Sequence, residues 1–312
     1  MPGADTAWGG PALHRLRPEA LAVVAAASWA VSSLFSAPPA QRLGAFAFSR
    51  WRMLFASAIL WALALAGGGW RDLDAAAVGL LGLSGVVGIF IGDTALFACM
   101  NRLGPRRSGV LFATHAMFSA LLAWLFLGEL IQGWALVGSA LLVGGVMMAV
   151  LWGKREDESH GWEQTRGRLL IGVGLGLVAA LCQSVATLML KPLMATGIDA
   201  VSASAVRMSL ALAAHGLLLA SGWPGARAKQ PLRVRDALLT FLSAAVAMAL
   251  GMTLILYAMR HGQAGLVAIF SSVTPVLLLP LLWAVYRRRP AMGAWTGAAL
   301  AVAGTAFILS RG

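Results

Sequence analysis

The sequence predicts an all-α integral membrane protein with ten transmembrane helices, arranged as a five-plus-five inverted repeat. Three observations carry this reading. Hydrophobic residues make up 59% of the chain and charged residues only 12%, whereas a soluble domain carries about 25% charged residues to cover its water-facing surface. Ten apolar runs of roughly spanning length follow one another with short polar connections. A residue pattern in the first half recurs, in the same order, in the second.

A helix that crosses a bilayer needs about 20 mostly apolar residues. By that measure the spans lie near 19–37, 44–66, 75–100, 107–127, 132–152, 168–190, 199–221, 235–259, 264–286 and 291–310. The first resembles a secretory leader, with Arg15 and Arg17 ahead of an Ala/Val/Leu run and "FSAPPA" behind it. Its length, and the nine runs that follow, favour a retained first span, with a signal peptide on a polytopic protein as the alternative. The 12 Trp and 36 Gly suit helices that anchor at lipid headgroups and approach one another closely. The longest polar stretch, "GKREDESHGWEQTRGR" at 153–168, divides the chain near its midpoint. The expected organisation is a tail at 1–18, a first five-helix repeat at 19–152, a connecting loop at 153–167 and a second five-helix repeat at 168–310.

The repeat appears at a shift of 159 residues. It pairs Gly92 with Gly251, Thr94 with Thr253 and Met100 with Met259, then Gly138 with Gly297, Ala140 with Ala299, Leu141 with Leu300, Val143 with Val302 and Gly145 with Gly304. A shift of 155 pairs Arg52 and Met53 with Arg207 and Met208. Apolar similarity alone would match Leu and Ala, but not Gly, Thr and Arg in series. Five spans per half make the second half enter the membrane from the opposite side, which inverts it relative to the first, as in secondary transporters.

Other classes find no support. The net charge of +12 sits in short clusters between apolar runs, as expected of loops at a headgroup surface rather than of a nucleic-acid partner. Cys99 and Cys182 both fall in apolar runs and imply neither a disulfide framework nor a metal site. His14, His115, His160, His215 and His261 lack ligand spacing. No phosphate loop, nucleophile elbow or zinc-helix motif occurs, so no catalysis and no cofactor are expected. Gly88/Gly92 and Gly172/Gly176 lie in small-xxx-small spacing and read as close helix contacts.

Several stretches together resemble the EamA family of the drug/metabolite transporter superfamily, over about 19–310. They are the arginines of "SRWRM" and "AVRM", the junction "GDTALFACMNRLGPRRSGVL", the turn and Gly-rich span "AWLFLGELIQGWALVGSALLVGGVMM", and "IFSSVTPVLLLPLLW". Two positions depart from the pattern. His115 and Ala116 stand where the repeat puts Thr274 and Pro275, and Arg288 stands opposite Glu129. The resemblance implies export or exchange of small metabolites such as amino acids by alternating access. It implies a multi-pass protein of the plasma (bacterial inner) membrane whose partners are the lipid bilayer and a small-molecule solute, with the chain as monomer or homodimer. It also implies cytoplasmic termini. Loop charges favour the reverse. With termini inside, fifteen Lys and Arg would face outward and six inward, against the rule that basic loops stay in the cytoplasm.

Polar side chains at membrane depth face a cavity or a neighbouring helix. Asp93 lies within an oily run. It is a partner for Arg52 or Arg50, a proton-exchanging carboxyl, or a lining residue. Met252 and Thr253 carry no matching charge, so no symmetric acidic pair exists. Arg52 and Arg207 either snorkel to the interface or contact an anion near the solute path, since guanidinium binds carboxylates bidentately. Glu129, in a tight turn, is suited to cap a helix N-terminus. His115 and His215 are packing residues or titratable sites. Pro275 and Pro280 break the helical ladder, and Ser271, Ser272 and Thr274 bring hydroxyls to the break. Trp29, Gln183, Ser184, Thr253 and Tyr257 complete the cavity candidates. A membrane-embedded enzyme or lipid-handling protein is the alternative class. It would need paired carboxylates, a His cluster or a nucleophile with its base, and the spans offer isolated groups. A scaffold without a water-accessible cavity is a third.

Overall fold

The computed structural model describes residues 17–152, 168–286 and 291–311. Among them the chain is helical throughout, with no strand. Four helices of the first half are long and apolar enough to cross a bilayer: α1 (Pro18–Leu43), α2 (Ala45–Gly67), α3 (Ala75–Gly104) and α4 (Arg107–Leu127). α5 (Gly133–Leu151) follows, with a shorter apolar stretch. In the second half α6 (Leu169–Ala195), α7 (Ala200–Ala220), α8 (Val234–His261) and α9 (Ala264–Leu281) are of spanning length. α10 (Met292–Arg311) is again apolar over a shorter stretch. Most of the expected N-terminal tail, the connecting loop and Arg288 lie outside the described residues.

The first span runs further than its sequence suggests. Pro38 and Pro39 do not end α1, which continues to Leu43. α6 likewise extends past 190 to Ala195, with a break at Met189–Leu190. Lys191 beyond the break donates to the backbone oxygens of Met259, at 2.8 Å, and Gly262, tying α6 to the α8–α9 turn. Gly104 adopts φ 83°, a conformation open to glycine because it lacks a Cβ, and turns the chain from α3 into α4.

The two halves interlock. α1 packs mainly on α8 and α9 of the other half, and α6 packs in the same way on α3 and α4. α2 pairs with α7, and α5 with α10. The α5–α10 contact uses repeat-related glycines. A Cβ on Gly145 would lie 2.5 Å from the Ala301 nitrogen and 2.6 Å from the Gly297 oxygen. A Cβ on Gly304 would lie 2.5 Å from the Gly138 oxygen and the Leu142 nitrogen. The two backbones touch where side chains are absent, which is how helices associate without a hydrophobic driving force. Gly88 and Gly92 pack on Ala186 and Cys182, while Gly172 and Gly176 pack on Leu103 and Leu111, so the small-xxx-small pairs are close contacts as expected. Large apolar side chains such as Phe126, Leu170 and Leu217 point outward, as a lipid-facing surface requires.

Two local departures from α-helix recur at matching places in each half. Val86–Asp93 in α3 and Ala244–Met252 in α8 are π-helical. α9 breaks at Ser272–Val273, just ahead of Pro275, and α4 breaks at Thr114 without any proline. Thr114 and Val273 are 159 residues apart, so the kink follows the repeat rather than the imino acid. At each break a hydroxyl serves an exposed carbonyl: Thr114 donates to Leu111 at 2.6 Å and Thr274 to Ser271 at 3.0 Å.

Gly304→Val should lower the thermal midpoint of the detergent-purified protein, since overpacking a close contact costs about 1–3 kcal/mol. Gly144→Ala adds a methyl to open space and should leave the midpoint unchanged. Size-exclusion thermal scans would check both, and a Gly304→Val protein as stable as wild type would refute the α5–α10 contact.

Candidate solute cavity and buried charge cluster

A cavity lies where helices of both halves meet. Its lining combines Trp29 of α1, His115 and Ser119 of α4, Gln183 and Thr187 of α6, Ile255 of α8, and Val267, Ala268 and Ser271 of α9. It admits the centre of a water molecule over only about 10 Å³, room for about one water. The wall is amphipathic, with an indole, an imidazole, an amide and three hydroxyls set among aliphatic groups. The two helix breaks, at Thr114 and Ser272–Val273, lie directly beside lining residues His115 and Ser271.

Of the residues singled out from the sequence, Trp29, His115, Gln183 and Ser271 come together here. The Trp29 indole donates to the Ala247 oxygen at 3.1 Å, within the π-helical part of α8. Gly251 makes room for it: a Cβ there would stand 2.8 Å from the indole nitrogen. Gln183 donates to the Thr187 hydroxyl at 3.3 Å. Ser184 turns away from the cavity and donates to the His115 and Ala180 oxygens, both at 2.9 Å. Ser272 donates to the Ile269 oxygen within its own helix, at 2.7 Å. Thr253 binds Ser204 at 3.0 Å on the α7 side, and Tyr257 belongs to the apolar core. Pro275 is half-buried beside Gly109. Ser119 and Thr187 escaped notice in the sequence although each lies one helical turn beyond a chosen residue, His115 and Gln183. Stepping four residues along a helix face would have found both.

A second polar centre lies between α2, α3 and α7. Arg52 donates to Asp93 at 2.8 Å, and its guanidinium lies 5.1 Å from the centre of the Phe97 ring. Arg50 turns instead to the Ala226 oxygen, at 2.8 Å. Neither repeat-related arginine snorkels: Arg52 is 4% exposed and Arg207 is 0% exposed. Asp93 ends the π segment of α3, and both guanidinium groups act on it electrostatically. His215, also buried, lies 3.4 Å from the Thr94 hydroxyl and edge-on to Phe90.

Cross-half ties flank the cavity at both ends of the bundle. Glu129, in the α4–α5 turn, accepts from the Ala264 nitrogen at 2.7 Å and more weakly from Gly265 at 3.4 Å. It therefore caps α9 of the opposite half, where the helix dipole favours a negative side chain. Arg42, at the end of α1, pairs with Asp236 near the start of α8 at 2.9 Å. The α1–α2 and α4–α5 turns are separated by three helix crossings and so lie at opposite ends. Among the described residues no group of three His, Cys, Asp or Glu is placed to hold a metal ion.

Two interlocked bundles of apolar helices with a small amphipathic cavity between them define a multi-pass membrane protein fold. The family comparison agrees. The model of the EamA-like transporter family matches residues 16–151 and again 170–310, and the chain belongs to that family, within the drug/metabolite transporter superfamily. Its members are transporters rather than enzymes. One solved crystal structure shares the fold with a TM-score of 0.74 at 17% sequence identity, covering 95% of this chain and 99% of the other. A search of curated protein sequences gives no significant match.

Replacing Asp93 by Leu leaves Arg52 charged, buried and unpaired, and should destabilise the protein by about 3–5 kcal/mol. Adding Arg52→Met to Asp93→Leu should restore most of that loss, because an apolar pair of similar volume replaces a buried ion pair at little cost. Denaturant unfolding in detergent would measure the cycle. Additive effects of the two substitutions would mean that the pair is not coupled.

Proposed function

We propose that this protein carries small organic metabolites, amino acids among them, across the plasma membrane by alternating access, as an exporter or exchanger. The observation that carries the proposal is the small amphipathic cavity built jointly by the two halves. Its indole, amide and hydroxyls suit a small amphipathic solute. With α5 and α10 counted as spans, the chain crosses ten times and the second half is inverted.

Alternating access needs one end of the cavity to open while the other stays closed. The Glu129 cap and the Arg42–Asp236 pair each join opposite halves, so each is a contact that one access state breaks. The paired π segments and paired kinks supply the places where helices bend, since such departures from regular helix occur at functional sites. Asp93 is the one acidic side chain among the buried arginines, and in this reading it links transport to protons as well as pairing with Arg52.

The test is flux in proteoliposomes. Purified protein should move radiolabelled amino acids or cationic organic compounds above the rate of empty liposomes under a pH gradient. Ser271→Trp fills the cavity and should abolish flux in protein that remains folded. Asp93→Asn, assayed on the folded fraction, should lose dependence on the gradient, and unchanged dependence would limit Asp93 to its ion pair. Flux unaffected by Ser271→Trp would rule out this cavity as the path.

A further inference from the structure

Arg207 shares the single carboxylate of Asp93 with Arg52 and has no close ion pair of its own among the described residues. It is fully buried. Its Nε donates to the Ser84 hydroxyl at 3.1 Å, and that hydroxyl passes its own proton to the Ala186 oxygen at 2.7 Å. Among the described residues, both terminal nitrogens of Arg207 lack a hydrogen-bond partner. The cluster of Arg52, Asp93 and Arg207 therefore holds two positive charges and one negative, and Asp93 gives its close contact to Arg52.

The repeat shows what is missing. Arg52 and Arg207 are mates across the two halves. Arg52 finds its carboxylate, Asp93, on the third helix of its own half. The position on α8 that matches Asp93 is Met252, which is buried and apolar. The second half thus keeps the guanidinium and lacks the acid. We propose that the transported solute bears a carboxylate and that Arg207 binds it, so that the solute supplies to the second half the charge that Asp93 supplies to the first. This rests on the transport reading and names the solute class within it.

The surroundings suit that role. Arg207 lies against Gly88 of the π segment, where an added Cβ would stand 3.5 Å from its terminal nitrogen. Gly88 in turn packs on Ala186, which on α6 lies between the cavity residues Gln183 and Thr187. Gly88 and Ala186 thus connect the guanidinium to the helix face that carries the cavity residues, and Gly88 belongs to a π-helical segment. A shift of this segment opens the guanidinium to the cavity. Guanidinium suits the task because it binds a carboxylate through two parallel hydrogen bonds and stays charged when buried.

The experiment titrates the full-length protein in nanodiscs with sodium propionate, with neutral propionamide and with inorganic phosphate, at constant ionic strength, following tryptophan fluorescence. Propionate should bind saturably and propionamide should not. Arg207→Gln should weaken propionate binding about 10-fold or more, the worth of a charged hydrogen-bonded contact, and Arg207→Lys should lose less. Equal binding of propionate and propionamide by wild type overturns the proposal even if every Arg207 variant misfolds. Phosphate binding as tight as propionate overturns the carboxylate assignment. Amino-acid flux undiminished in Arg207→Gln would sink this inference and leave the transport reading intact. Propionate binding through Arg207 in a protein that moves no solute would sink the transport reading, leaving an anion site.

Discussion

In hydrocarbon a polar group has no water to bind, so each one must find its partner within the protein, and the architecture of this chain follows from that constraint. Backbone groups are met by helices. Where a helix is interrupted, at Thr114 or at Ser272–Val273, nearby hydroxyls turn back onto the carbonyls that the break exposes. Serines inside the spans behave alike. Ser32, Ser36 and Ser243 bind one another across α1 and α8. Among the described residues a few buried polar atoms have no hydrogen-bond partner, on Ser49, Arg52, Ser57 and Asn101, and Arg207 differs from these in that both its terminal nitrogens are unmet.

Interlocking of the halves is the second consequence. Each half lends its first helix to the other, α1 to α8 and α9, and α6 to α3 and α4. Neither half closes its own core, so the cavity is necessarily shared. The repeat is symmetric in backbone and asymmetric in chemistry. π segments, kinks and glycine contacts recur, while Asp93 faces Met252 and the proline of α9 has no mate in α4. Symmetry of the frame lets both halves bend at the same depth.

The sequence disclosed a good deal of this. Long apolar runs between polar connections marked the helices, because helix length is set by bilayer thickness. The small-xxx-small pairs Gly88/Gly92 and Gly172/Gly176 pointed to close helix contacts, and a lone aspartate near an arginine-bearing span pointed to an ion pair with Arg52 or Arg50. Errors arose where local rules met tertiary context. The first span was placed near 19–37, yet α1 continues through Pro38 and Pro39 to Leu43, packed on α8. Thr253, Ser184 and Ser272 were plausible linings by type, but direction decides lining, and their hydroxyls bind other helices or their own backbone.

By itself the sequence determined the class of protein, the approximate positions of its helices and the existence of two related halves, because hydropathy, span length and residue repetition are properties of the chain read in order. Only the tertiary structure decided which polar residues share a cavity, that the two halves exchange their first helices, that α4 kinks without a proline, and that both terminal nitrogens of the buried Arg207 have no hydrogen-bond partner among the described residues. Those facts depend on the rotation of each helix about its axis and on which neighbour it meets. Both are settled by packing among helices far apart in sequence, which no local pattern records.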